Sequence, residues 1–75
     1  MIQDTQKEVL IMEQYQQRVV DEKNELDTRR GRLLLFFNSD LFRSLDQAEK
    51  DRLRTQYSVM GVYSDILNQR ISAFQ

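Results

Sequence analysis

Two apolar series at sevenfold spacing, with a turn signal between them, constrain this 75-residue chain more than any other feature. The first is Met12, Val19, Leu26 and Leu33; the second is Leu53, Met60, Leu67 and Phe74. Residues seven apart fall on one stripe of an α-helix, and a sustained stripe is the seam along which helices pack. Tyr15 and Phe37 join the first stripe, and Ile71 lies beside the second. Glutamate, glutamine, arginine, leucine and lysine fill the other faces, and these are good helix formers. There is no proline to break either run. The pattern predicts one helix over about 6–37 and another over 47–73. Between them, Asn38-Ser39-Asp40 contains three residues that favour turns and caps. Leu41 to Leu45 reads as one short helical turn. Asp46 then starts the last helix with Glu49 three residues later, the spacing of a capping box. The expected fold is all-α: a single domain over 1–75, an antiparallel helical hairpin with a short helical turn in the connection 38–46. Its long helices would each measure about 40–48 Å at 1.5 Å per residue.

The seam is not uniform. Glu22 and Arg30 fall near the centre of the first stripe, where a partner helix should leave them little water. Gly31 interrupts the first helix inside Arg29-Arg30-Gly31-Arg32. A glycine there costs roughly 1 kcal/mol relative to alanine. Two readings fit it: a tolerated glycine or a close helix contact on one side, a bend or a close approach to a ligand on the other.

Val59, Tyr63 and Ile66 widen the apolar surface of the last helix beyond what one partner helix needs. A chain this short buries only about 60–65% of its unfolded surface, so its own core is marginal. With no cysteine and no histidine, neither disulfides nor a Cys/His zinc site can brace it. The remaining brace is another chain. Val59, Met60, Tyr63, Ile66 and Leu67 are therefore the expected interface of a homo-oligomeric bundle.

The same absences bear on chemistry. Without His or Cys, general-base, nucleophile and soft-metal roles lose their usual side chains. Glu22/Glu25 and Asp46/Glu49 are carboxylate pairs at i, i+3, but the Glu-x-x-His motif of a di-metal helical bundle is missing. The expectation is no catalysis, no metal and no cofactor. Eleven bases against twelve acids give a net charge of −1, which argues against a general nucleic-acid binder. The longest apolar run, Leu33-Leu34-Leu35-Phe36-Phe37, is too short to cross a bilayer. Met1 to Lys7 is polar and does not read as a signal peptide.

Charge is nevertheless uneven. Residues 1–27 carry three bases and seven acids, and residues 28–54 carry seven bases and four acids. Eight of the eleven bases are arginine, whose planar fork suits phosphates and carboxylates. Arg18, Glu22, Glu25, Arg29 and Arg32 share one flank of the first helix. Two readings compete. In one, Arg18–Glu22 and Glu25–Arg29 pair along a solvated face, at a few tenths of a kcal/mol per pair. In the other, Arg29, Arg30 and Arg32 face a phosphate-bearing ligand or an acidic partner. Gln56, Tyr63 and Arg70 form a polar strip at heptad spacing on the last helix, suited either to fixing register or to lining a pocket between subunits. Tyr15 and Tyr63 are either core aromatics with hydroxyls reaching water or a stacking surface for a base.

Tyr15-x-x-Arg18-Val19-Val20-x-Glu22-Lys23-x-Glu25-Leu26 resembles the start of a family of very small tailed-phage and prophage proteins, known among crAss-like phages. Phe42-x-x-Leu45 and Leu53-x-x-Gln56-x-x-x-Met60-x-x-Tyr63-x-x-Ile66-Leu67-x-x-Arg70-Ile71 continue the resemblance, which spans about residues 13–74. It implies a phage accessory protein acting in the host bacterial cytoplasm. In layout the chain is also similar to helical-hairpin phage proteins that oligomerise and act as sponges for cyclic-nucleotide immune signals. That layout implies a homo-oligomer that sequesters a cyclic nucleotide or an ADP-ribose-type messenger without breaking a bond. Arginines would hold phosphates and tyrosines would stack on bases. The candidate binding residues are Tyr15, Arg18, Arg29, Arg30, Gln56, Tyr63 and Arg70. The competing expectation is a module that docks a host protein through its apolar band and inhibits or redirects it.

Overall fold

The computed structural model describes the backbone of residues 4–74 and the side chains of residues 13–74. Met12, placed on the first seam by the sequence, lies outside the described side chains. The chain forms α1 (Asp4–Phe36), α2 (Asp40–Ser44) and α3 (Gln47–Ser72), with no strand among the described residues. α1 and α3 pack against each other along a narrow rod of 62 × 19 × 15 Å. This is the hairpin expected from the two seams, with α2 as the short helix in its connection.

Local capping explains where the helices stop and start. At the end of α1, Asn38 and Ser39 donate their backbone N–H groups to Leu35 O (3.1 Å) and Phe36 O (2.9 Å). These tight i→i+3 bonds satisfy carbonyls that a helix end would otherwise leave open. Ser39 is the N-cap of α2: its Oγ accepts from Phe42 N at 3.1 Å and donates to Phe36 O at 2.6 Å. Asp46 caps α3 by accepting from Glu49 N at 2.7 Å. Only this half of the capping box forms, since the Glu49 carboxylate turns to Arg52 Nε at 3.3 Å. No residue of the connection needs a positive φ, so the turn is made without glycine.

The core is thin. Among the described residues, only Val19, Phe42 and Leu67 are buried. Leu26, Leu33, Leu53 and Met60 on the two seams are half-buried, as expected for two helices with nothing over their outer sides. Phe42 closes the turn end. Its ring lies 5.8 Å from that of Phe36 and 5.0 Å from that of Phe37. Phe37 also meets Tyr57 edge-on at 5.6 Å. At the open end, Tyr15 and Phe74 meet edge-on at 6.4 Å.

One expectation needs correction, and the readings left open at Gly31 resolve. Leu67, expected at an interface with another chain, has no exposed surface in the single hairpin. It lies on the α3 seam, so α1 of its own chain covers it. Gly31 fits the reading of a tolerated glycine and is neither a bend nor a close contact. α1 runs through it without a break, and a Cβ added there would meet nothing within 4 Å.

Candidate functional site

Polar contacts divide the hairpin into two flanks. On one flank Tyr63 donates its hydroxyl to the Glu22 carboxylate, and Arg70 donates to the Tyr15 hydroxyl. On the other, Ser64 donates to Asp27 Oδ1 at 2.5 Å, and Arg30 Nε donates to the carbonyl of Tyr57 at 3.1 Å. Helical spacing assigns the remaining candidates. Arg18 and Arg29 lie at i−4 and i+7 from Glu22, and Gln56 lies at i−7 from Tyr63. Six of the seven candidate binding residues therefore share the flank of Tyr63, namely Tyr15, Arg18, Arg29, Gln56, Tyr63 and Arg70.

Arg30 belongs to the opposite flank and is already engaged. Its guanidinium carbon sits 3.9 Å from the centroid of the Tyr57 ring, a close cation–π contact. The space it occupies is provided by Gly61. A Cβ on Gly61 would fall 2.7 Å from Arg30 Nη2 and 3.0 Å from Cζ. Arg30 is thus a clasp between α1 and α3, and its separation from Arg29 breaks up the expected three-arginine cluster. Glu22, the other charged residue near the centre of the α1 stripe, accepts from Tyr63 of its own chain.

The ion-pair ladder also differs from expectation. Among the described residues the pairs are Lys23–Asp27 (2.6 Å), Asp40–Arg43 (2.5 Å), Glu49–Arg52 (3.3 Å) and Asp51–Arg54 (3.8 Å). Neither Arg18–Glu22 nor Glu25–Arg29 is among them. Arg29 and Arg32, with Asn24, Glu25 and Thr28, line a shallow depression open to solvent on the outer side of α1.

Tyr15 is 45% exposed, and the Arg70 guanidinium carbon lies 5.6 Å from its ring centroid. An exposed aromatic ring with a guanidinium held at its edge is a pairing suited to a base next to a phosphate. Arg18 follows Tyr15 by one helical turn and is exposed, with no side-chain hydrogen bond or ion pair among the described residues. Among the described residues, two groups titrate away from their ordinary values. Hydrogen bonds from Lys23 and then Ser64 hold the Asp27 carboxyl below the usual carboxylate range. The Tyr63 phenol is pushed up, because it donates to Glu22 and its anion would face that carboxylate.

Sequence reasoning missed Tyr57 and Gly61 as partners of Arg30, and Ser64 as the partner of Asp27. Each is ordinary helix sequence on its own. One usable signal was the oddity of Arg30 near an apolar seam, which called for a partner on the facing helix. Among the described residues, no helix is long and apolar enough to cross a membrane, and no group of three or more acidic side chains is placed to hold a metal ion.

The Sequestin family model matches residues 13–73, and the chain belongs to that family. No curated protein and no solved structure matches it.

Proposed function

We propose, from this membership and from the Tyr63 flank, that the protein is a phage counter-defence factor that sequesters a nucleotide second messenger of bacterial immunity. The family name speaks of sequestration, that is, of binding rather than of chemistry. The observation that carries the ligand class is the exposed Tyr15 ring with Arg70 held against it and Arg18 one turn away. The ring offers a face on which a base stacks, and the guanidinium groups offer charge-assisted bonds to phosphate. Arg29, Gln56 and Tyr63 extend the same strip. A single hairpin is too thin to enclose a nucleotide, so the site forms where copies of the chain meet. The ligand leaves the site unchanged, and the protein works in the host bacterial cytoplasm.

Calorimetry with purified protein and a panel of cyclic dinucleotides and cyclic ADP-ribose isomers tests this. One member should bind and be recovered intact after the protein is denatured. Arg18→Gln and Arg70→Gln should each weaken that binding roughly tenfold to more than a hundredfold, the loss of one charge-assisted contact, with helix content unchanged. A second reading is favoured by the exposed Val59, Val62 and Ile66, which suit docking on a host protein. Silence across the panel, together with capture of one host protein that the Ile66→Glu variant fails to capture, would replace the first reading with the second.

A further inference from the structure

Glu22 stands within the strip that holds Tyr15, Tyr63 and Arg70, yet it is the wrong sign for a phosphate. It is exposed and forms no ion pair among the described residues. Tyr63 donates to its Oε1, and among the described residues its Oε2 accepts nothing. An unpaired carboxylate set against a phosphate repels it. Glu22 therefore opposes a nucleotide unless it meets a neutral part of the ligand that donates hydrogen bonds. We propose that Glu22 reads the base of the bound nucleotide and that this base is guanine. This rests on the sequestration reading and names the ligand that the same strip selects.

Two features carry the assignment. The first is how charge is divided along the strip. Tyr15 and Glu22 lie seven residues apart on α1, and Tyr63 and Arg70 lie seven apart on α3. Because the helices are antiparallel, Arg70 meets Tyr15 and Tyr63 meets Glu22. The strip thus has two rungs, each a tyrosine with one charged side chain, about 10.5 Å apart at 1.5 Å per residue. One rung carries a guanidinium, the other a carboxylate. A phosphate held by Arg70 is farther from Glu22 than the screening length of about 8 Å. The acidic rung is left to the base, which can lie on the 39% exposed ring of Tyr63.

The second feature is the match of donors to acceptors. A carboxylate only accepts, through two oxygens side by side. Guanine presents N1–H and its N2 amino group side by side on one edge, two donors that fit it. Adenine and cytosine set a ring-nitrogen acceptor beside their amino group, and uracil flanks its N–H with two carbonyls. Each of those turns a lone pair towards the carboxylate. Tyr63 fixes the direction of the Glu22 carboxylate, and its phenol is pushed up because it donates to Glu22, so it stays a donor. Oε1 keeps a second lone pair for the base, and Oε2 keeps both.

Calorimetry with three cyclic dinucleotides tests this, one carrying two guanines, one two hypoxanthines and one two adenines. Hypoxanthine differs from guanine only in lacking the N2 amino group. The wild-type chain should bind the guanine probe roughly fivefold to a hundredfold more tightly than the hypoxanthine probe, the discrimination of one bidentate pair, and should also reject the adenine probe. In Glu22→Gln the guanine and hypoxanthine probes should bind alike, because an amide has one acceptor and turns its NH2 towards the second donor of the base. The glutamine carbonyl still accepts from Tyr63, so helix content should be retained; should the variant unfold, the wild-type ratio decides. Guanine and hypoxanthine probes that bind the wild-type chain alike would overturn the assignment and leave sequestration standing. So would tighter binding of the adenine probe or of a cyclic ADP-ribose isomer, or a guanine preference that survives in Glu22→Gln. A chain that binds none of these nucleotides would refute sequestration and the assignment together.

Discussion

Replacing Gly61 by alanine should destabilise the hairpin, although the same change at Gly31 should stabilise it. Both glycines lie within long helices, where alanine is favoured by roughly 1 kcal/mol. At Gly31 nothing opposes that gain, because a new Cβ meets open space. At Gly61 the Cβ would arrive 2.7 Å from Arg30 Nη2. The clash itself costs little, since the far end of an arginine can swing away. The cost lies in what the arginine leaves behind, the hydrogen bond to Tyr57 O at 3.1 Å and the stacked position 3.9 Å from the Tyr57 centroid. A net hydrogen bond from a charged donor contributes about 1.5–3 kcal/mol, with the low end apt for this half-buried group. A cation–π contact near the surface adds about 0.5–1 kcal/mol. The lost contacts therefore outweigh the propensity gain by about 1–1.5 kcal/mol. Removing the clasp first should reverse the sign. In an Arg30→Met background, Gly61→Ala should stabilise by about 1 kcal/mol, so the two sites couple by roughly 2 kcal/mol in a double-mutant cycle. Urea or thermal unfolding followed by circular dichroism reads this, with about 4–8 °C of Tm per kcal/mol for a domain of this size. Protein concentration must be held fixed in case copies associate. If Gly61→Ala stabilises the wild-type background as much as Gly31→Ala does, Arg30 contributes no clasp and the reasoning fails.

Phe42→Ala should cost about 3–5 kcal/mol, the range for emptying a buried aromatic site, because its ring is 4% exposed and packs on Phe36 and Phe37; unfolding curves little different from wild type would show that the turn end is not part of the cooperative core. The two shifted groups should shape the pH dependence of stability from opposite ends. Asp27 is held low, so its contribution is present above its unfolded value near pH 4 and fades as the pH falls through the folded value; Asp27→Asn should flatten that acid limb of the stability curve. Tyr63 is pushed up, so its contribution is present below its unfolded value near pH 10 and is lost as the pH rises through the folded value; Tyr63→Phe should remove that alkaline loss.

The helices and their ends were legible from sequence because the forces that set them are local. Sevenfold spacing places Val19 and Leu67 on packing stripes, and the cap at Asp46 acts on an N–H three residues away. The expected boundaries, 6–37 and 47–73, differ from Asp4–Phe36 and Gln47–Ser72 by at most two residues. The heptad count also announced the hairpin, since two stripes joined by a short polar connection have only each other to cover them within the chain. What the spacing left open was the rotation of each helix about its axis, and that rotation decides which side of each stripe faces the partner. It sends Leu67 to the inside and leaves Val59, Val62 and Ile66 outside. It also sends neighbouring arginines to opposite flanks, so Arg30 clasps Tyr57 across 27 residues of chain while Arg29 stays on the outer surface of α1. The glycine that matters is accordingly Gly61, which looks unremarkable in sequence, and not Gly31, which stands conspicuously among three arginines. A glycine's role depends on what approaches its missing side chain, and here that is the tip of a residue on the other helix, brought there only by tertiary packing.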